Sequence, residues 1–498
     1  MLDVVAKPGN AGILLQCGAI GGLVGLLAAS GGVRAVAEQC VKLARGPIGA
    51  QLVSWLLGLF VFFDDYANVQ IRGPIVRPIT DRARVSREKL AFILDATAAP
   101  IAGIALISTW IGTEVAYLDS GLTDAGLSGN ISAYGLFVSS IPYRFYNLLM
   151  LAFVFFSAVT LRDFGPMRKA EILARKGFLR DMNSEVISID DALSGASDGV
   201  ESGAKSLKKK STLGTSLFAI VPLLVLIVSA FAFFYASGRT AIMAGGDAEK
   251  IATIQELNAT SIREILGAAD AAVSIFRAAL LAGIVAFGMN VVFRKTTVSG
   301  SVNAWLAGVK SLCFTFVILI LAWTLSTCIN KDHLGTAQFL VGALSEGTPT
   351  FLLPTLIFVF AAVISFATGT SYGTMAIVTP LAIPFANALM PGDYPYLIAC
   401  AAAVLTGAIF GDHGSPISDT TILSATSARC GMLEHVETQL PYGLFVAGIA
   451  ILFGFLPVGF GVSIWVVLPV AIATTCLSLR IFGKKIPAKI EADKEEIA

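Results

Sequence analysis

The stretch YLIACAAAVLTGAIFGDHGSPISDTT, residues 396–421, decides the fold. From Tyr396 to Gly411 it carries no charge and reads as a helix in hydrocarbon. Asp412, His413, Gly414, Ser415 and Pro416 then interrupt that helix with polar, small and helix-breaking residues. Backbone at membrane depth must satisfy its own hydrogen bonds, so such a break is tolerated only where it is buried in protein or lines a cavity. An ionised Asp at the bilayer centre costs about 2.5–3.5 kcal/mol on insertion scales, so Asp412 and Asp419 each need a reason to be there.

Outward from this stretch the chain keeps the same character. Of 498 residues 55% are apolar and 14% charged, against about 45–50% and about 25% in soluble domains. A helix needs about 20 apolar residues to cross the hydrocarbon. Runs near that size lie at 91–118, 137–160, 215–236, 271–293, 305–329, 351–369, 442–462 and 463–480, with shorter ones at 11–29, 48–63, 374–390 and 396–411. The expected fold is an all-α polytopic membrane protein with about 10–12 membrane segments. Net charge is +1, from 35 basic and 34 acidic residues, which gives nucleic acid no reason to bind. The seven cysteines are scattered and show no CxxC or Cys/His spacing, so neither a disulfide framework nor a zinc site is expected. The opening Met1-Leu2-Asp3 lacks a basic n-region and cleavage site, so no removable signal peptide is expected.

The polar stretch from Arg162 to Lys210 holds ten Lys/Arg against eight Asp/Glu and splits the apolar segments into two groups. Residues 1–161 form one membrane unit, 162–214 a cytoplasmic linker, 215–480 a second membrane unit and 481–498 a tail. Within the linker Arg168 to Arg180 reads as a surface helix and Ser184 to Lys210 as mobile chain. By the positive-inside bias the linker, the basic stretch Arg72 to Lys89 and the tail around Lys484 face the cytoplasm, and the acidic loops near Asp119–Asp124 and Asp247–Asp270 face outward.

The two units share an order of features. The first reads Ala28-Ala29-Ser30-Gly31-Gly32, then Asp64-Asp65-Tyr66-Ala67-Asn68, a polar stretch with Arg82 and Glu88, and Thr97-Ala98-Ala99-Pro100. The second reads Thr368-Gly369-Thr370-Ser371-Tyr372-Gly373, then Gly411-Asp412-His413, a polar stretch with Arg429 and Glu434, and Thr438-Gln439-Leu440-Pro441. Two structural repeats, each with a re-entrant or broken helix pair, are the transporter pattern, with ion and substrate held between them. Two arrangements stay open. A re-entrant hairpin at 351–390 puts every basic loop inside, whereas inverted repeats put 72–89 and 429–440 on opposite sides.

Clusters of carboxylate, hydroxyl, amide and freed carbonyl suit a hard cation such as sodium, and a desolvated carboxylate beside another also takes up a proton. The candidate ion- or substrate-binding set is Asp64, Asp65, Asn68, Asp95, Thr370, Ser371, Asp412, His413, Ser415, Ser418, Asp419 and Thr420, with Asp412 and Asp65 as candidate sodium ligands. Each has a plainer alternative. Asp64, Asp65 or Asp419 can instead cap the helix that follows, and His413 can be a proton carrier or a structural donor. Glu114 reads as interfacial, and Arg144 and Arg277 as snorkelling to an interface. The runs Gly18–Gly25 and Gly407–Gly411 read as small-residue helix-packing motifs. No GxxxxGK[ST] motif offers an ATP motor, and His333, His413 and His435 make no HExxH zinc pattern.

Phe63-Asp64-Asp65-Tyr66-Ala67-Asn68, Thr80-Asp81-Arg82 with Ser86-Arg87-Glu88-Lys89, Asp163-Phe164-Gly165-Pro166-Met167, Ala367 to Thr374 and Gly411 to Thr421 together resemble the NhaC family of sodium/proton antiporters. The match runs from about residue 12 to 465. The resemblance implies a two-repeat ion transporter that exchanges sodium for protons, or one that exchanges small organic anions such as malate for lactate. Because the breaks are rich in oxygen ligands and contain no Arg, sodium/proton antiport is the leading expectation. Coupled transport of an organic anion or amino acid is the alternative. A non-transporting sensor with 162–214 as its signalling domain is disfavoured, because that stretch lacks the apolar periodicity of a folded domain. The chain is thus expected to be no enzyme and to need no cofactor beyond sodium and protons. Its expected place is the cytoplasmic membrane, with the lipid bilayer as partner and a homodimer as one possible assembly.

Overall fold

The computed structural model describes residues 8–41, 44–192, 213–245, 269–329 and 349–487, with a few isolated positions besides. The first group of helices is α1 (Pro8–Ser30), α2 (Gly32–Val41), α3 (Gly46–Phe60), α4 (Asp65–Arg82), α5 (Arg87–Ala96), α6 (Thr109–Asp124), α7 (Ala133–Ser140) and α8 (Phe145–Thr160). A small polar module follows: strand β1 (Arg162–Asp163), α9 (Gly165–Lys176) and the hairpin of β2 (Phe178–Arg180) with β3 (Val186–Ser188). The second group is α10 (Leu213–Gly245), α11 (Ala271–Val292), α12 (Val298–Ser311), α13 (Cys313–Ile329), α14 (Leu353–Thr368), α15 (Ser371–Leu389), α16 (Tyr394–Gly414), α17 (Asp419–Ala428), α18 (Met432–Ala450) and α19 (Ile464–Phe482). Strand β4 (Lys484–Lys485) returns to pair antiparallel with β1.

Among the described residues eight helices are long and apolar enough to cross a membrane, or nine if the pair Ala133–Tyr143 and Phe145–Thr160, bent by 43°, is one span. Among the described residues Gly46–Phe60 is a further apolar helix, shorter than these spans. The polytopic all-α expectation is borne out.

Small residues set the closest helix contacts. A Cβ on Gly407 would lie 2.4 Å from the Phe358 carbonyl oxygen, and one on Gly411 would lie 2.1 Å from that of Ala362, so α16 and α14 touch backbone to backbone. On α1 and α12 the same holds for Gly25 against the Ala304 carbonyl at 2.1 Å and Gly308 against the Gly21 carbonyl at 2.0 Å. Both glycine motifs are therefore packing seams, as the spacing predicts. Gly407→Ala should cost about 1–3 kcal/mol through overpacking. Thermal melting of the detergent-solubilised protein checks this, and an unchanged midpoint would show the seam to be slack.

Several sequence expectations change once the chain is folded. Arg144 does not snorkel. It is fully buried and pairs with Glu114 at 2.7 Å, with further bonds to Ser140 Oγ and the Gly103 carbonyl. Arg72, Arg87 and Lys89 are not loop charges in water but buried side chains with partners. Asp119 and Asp124 lie on helix α6 rather than in a loop, while most of 247–268 is outside the described residues. Mobile chain does not begin at Ser184, because 186–188 pairs as a strand; residues 193–212 lie outside the described ones. The polar module is docked on both helix groups. Asp181 meets Arg87 and Arg429, the latter at 3.4 Å, and Glu171 accepts from Ser86 N at 2.7 Å. Glu171 sits beside Arg175, and burial raises its carboxyl above the usual range despite that cation.

Candidate functional site

Two broken elements and one hairpin turn meet at the centre of the fold. The first break follows α3. Asn68 donates from Nδ2 to the carbonyls of Gly58 (2.9 Å), Val61 (2.9 Å) and Thr97 (3.2 Å), which satisfies backbone freed where α3 ends and α5 stops. Asp64 caps α4, accepting from Ala67 N at 2.7 Å and from Thr109 Oγ1 at 3.1 Å. Asp65 is left free of capping duty and turns inward from the first turn of α4. The second break follows α16. Pro416 cannot continue a helix and disfavours helical backbone at Ser415, and Ser415 Oγ donates to the Phe366 carbonyl at 2.8 Å. The hairpin turn lies between α14 and α15, where Gly369 takes φ +65°, a left-handed conformation that suits glycine. Thr370 then caps α15, accepting from Gly373 N at 3.3 Å.

These ends enclose a cavity of about 10 Å³, about one water-sized sphere. Asp65, Asp412 and Asp419 supply its carboxylates, Thr370, Ser371 and Thr420 its hydroxyls, and Tyr66, Trp110 and Tyr372 its aromatic wall. Ser371 Oγ donates to Asp412 Oδ2 at 2.8 Å. Asp412 Oδ1 and Asp65 Oδ1 are both buried and have no hydrogen-bond partner among the described residues. Tyr66 of the first helix group donates to Asp419 of the second, across the cavity's more exposed side. None of the described residues lining the cavity is Lys, Arg or His. The N-termini of α4, α15 and α17 lie at this point, and their partial positive charge eases the crowding of three carboxylates.

The cavity thus gathers Asp65, Thr370, Ser371, Asp412, Asp419 and Thr420 from the expected set. Asp64, Asn68 and Ser415 serve the breaks, and Ser418 bonds Thr420 Oγ1 at 3.0 Å beside them. Asp95 and His413 stand in a separate buried cluster. Asp95 Oδ2 accepts from Gln439 Nε2 at 2.7 Å, and His435 Nε2 and His413 Nε2 lie 3.5 Å and 3.9 Å from it. His413 Nδ1 shares a hydrogen bond of 2.6 Å with Tyr146 OH. Sequence reasoning missed Tyr66, Trp110, Tyr372, His435 and Tyr146. Tyr66 and Tyr372 were adjacent to candidates and so within reach, whereas Trp110 and Tyr146 sit in ordinary apolar helices and carry no signal. The paired break at Ser30–Gly32 does not reach the site. Ser30 Oγ bonds locally to Leu27 O and Gly32 N, and a Cβ on Gly32 would lie 2.5 Å from Ala219 N, so this turn packs against α10.

A model of the Na+/H+ antiporter family matches residues 101–459. An uncharacterised protein of Haemophilus influenzae is 33% identical over 454 residues, 91% of this chain and 79% of that one. The malate-2H(+)/Na(+)-lactate antiporter of Bacillus subtilis is 40% identical over 90 residues, 18% of each chain. Among solved structures, the YdaH transporter of Alcanivorax borkumensis superposes with TM-score 0.55 at 15% identity, covering 90% of this chain and 85% of that one, a likeness of fold.

Proposed function

The chain belongs to the Na+/H+ antiporter family and is a multi-pass secondary transporter, and from that premise we propose that it exchanges sodium ions for protons across the cytoplasmic membrane. The observation that carries this is the central cavity. It is the size of one small ion, holds three carboxylates with no basic side chain among its described lining residues, and leaves one oxygen each of Asp412 and Asp65 buried and unbonded. A buried anionic oxygen without a partner is costly, and a cation between the two satisfies both. Thr370, Ser371 and Thr420 supply neutral oxygens that replace part of the ion's hydration shell. Asp65 comes from the first helix group and Asp412 from the second, so the ion sits where the two groups meet. The two groups then act as repeats that rock about the site, with the Tyr66–Asp419 bond as a closure on one side.

A second possibility, sodium- and proton-coupled exchange of a small organic anion, is favoured by the likeness to the malate/lactate antiporter. One assay separates the two. In proteoliposomes with an imposed pH gradient, sodium alone should dissipate the gradient. If sodium acts only after a carboxylate or amino acid is added, the organic-anion alternative replaces cation exchange.

A further inference from the structure

We propose that the open groove between α11 and α12 holds one acyl chain of an anionic phospholipid, whose phosphate is taken by Arg294 and Lys295 at the groove's end. The groove shares no lining residue with the ion cavity, so the sodium/proton reading does not depend on it.

The groove follows from what the two helices present. On α11, Leu280, Gly283, Ile284 and Phe287 recur at three- and four-residue spacing and so form one stripe. Glycine leaves a gap between bulky neighbours in that stripe, and a Cβ on Gly283 would meet nothing within 4 Å. Val302 and Trp305 of α12 form the facing wall and Leu26 of α1 the floor, around a space of about 290 Å³. Both helices lean on α1 and scarcely on each other, which keeps the space open. Each wall is tied to that floor. Asn290 Nδ2 of α11 donates to the Leu26 carbonyl at 3.1 Å, and Trp305 of α12 is pressed on α1, where a Cβ on Gly22 would lie 2.1 Å from its Nε1. No lining residue carries a charge, and Ile284 is 67% exposed. Because α11 is long and apolar enough to cross the membrane, the medium against this face is hydrocarbon.

The turn that joins the two walls is cationic. Arg294 and Lys295 are exposed there, about 10 Å along the helix axis from Phe287, which is what seven residues of helix cover. Neither has an acidic partner among the described residues. Lys295 Nζ lies 3.3 Å from Thr215 Oγ1 and 4.9 Å from the centre of the Phe218 ring, which holds it beside the start of α10. That is the side on which the chain leaves the polar stretch ending at Lys210. Basic side chains just outside a spanning helix attract the phosphates of anionic lipids. An apolar groove in line with a cationic end therefore matches a molecule that is hydrocarbon at one end and anionic at the other. A second copy of the chain fits less well. A two-fold partner presents the same patch, so its own Arg294 and Lys295 would face these, like charge against like.

The test uses the full chain, purified in detergent, stripped of lipid and titrated with phosphatidylglycerol or with phosphatidylcholine of the same chains. The melting midpoint is the readout, since a ligand stabilises the state that binds it. Phosphatidylglycerol should act at the lower concentration. Arg294→Gln combined with Lys295→Gln should weaken it by about thirtyfold, the effect of two cations near an anionic headgroup, and erase the difference between the lipids. Gly283→Leu adds a side chain where nothing stands in its way, so the lipid-free midpoint should hold. It should weaken phosphatidylglycerol by about tenfold or more, the equivalent of two methylenes no longer buried. If Gly283→Leu lowers the lipid-free midpoint, Val302→Phe fills the same groove from the other wall and should give the same loss. Equal action of the two lipids on the unaltered protein would overturn the site. So would an effect of the charge change with none from filling the groove, which would leave only a basic surface turn. A dimer that becomes a monomer on Gly283→Leu with the lipid response intact would give the groove to a second copy instead.

Discussion

Asp412→Asn should insert and fold normally yet lose sodium/proton exchange by on the order of a hundredfold or more, as expected when a buried charge partner of the ion is removed. The residue stands in the last turn of α16, buried, with Oδ2 held by Ser371 and Oδ1 without a partner among the described residues. Asparagine keeps the shape and the bond to Ser371, so helix packing has no cause to change. What disappears is the negative charge that draws a desolvated cation into a cavity of about 10 Å³. The variant should also lose the thermal stabilisation that sodium gives the unaltered protein, because a ligand stabilises only the state that binds it. Glu437→Gln, on an exposed position of α18, should leave exchange unaltered. Asp65→Asn should resemble Asp412→Asn, whereas Asp64→Asn should resemble a lost or weakened cap, since Asp64 bonds Ala67 N and Thr109. If Asp412→Asn exchanges sodium with the original affinity, the cation lies elsewhere and Asp412 does no more than end its helix.

Asp163→Ala should be the most destabilising of these changes, by about 3–5 kcal/mol, the cost of leaving a buried charge unpaired. Lys89 is fully buried, and Asp163 Oδ1 lies 2.6 Å from its ammonium while accepting from Tyr442 OH at 2.6 Å. Ser157 Oγ at 3.0 Å and the faces of Phe92 and Tyr442, at 5.5 Å and 5.2 Å, complete the cage around the cation. Removing Asp163 leaves an ammonium with one hydroxyl and two rings. Lys89→Met in the same chain should recover most of the loss, because replacing a buried ion pair by apolar groups is often close to neutral. Melting midpoints of the single and double variants in detergent decide this. Equal midpoints for Asp163→Ala and the unaltered protein would show that the pair contributes nothing to holding β1 and α18 against α5.

Asp163 also shows why part of the molecule stayed hidden in the sequence. In the chain it opens a polar stretch and reads as a surface charge, and Lys89 closes a basic one. Their meeting across 74 positions of sequence removes both from water. Arg144 and Glu114 do the same. Counting charges toward a membrane side assumes each is in solvent, so the basic stretch from Arg72 to Lys89 overstates the charge its turn exposes.

What the sequence determined by itself was local. Twelve apolar runs imply helices in hydrocarbon, because nothing else satisfies that much backbone without water. Gly407 and Gly411 imply a close seam because they lie four apart on one face. The breaks at 64–65 and 412–416 are legible because Asp, Gly and Pro interrupt apolar helices there. Only the tertiary structure decided which of the expected residues face one another. Asp64 and Asp65 are chemically identical neighbours, and the bonds from Ala67 N and Thr109 make the first a cap and leave the second to the cavity. Asp412 and His413 are neighbours too, and the turn of the helix sends them to different partners. His435 carried no signal for the site at all, since its meaning depends on Asp95, which lies 340 positions away in the chain (435 − 95) and 3.5 Å away in space. Periodicity records which face a residue takes on its own helix, but not which other helix that face will meet.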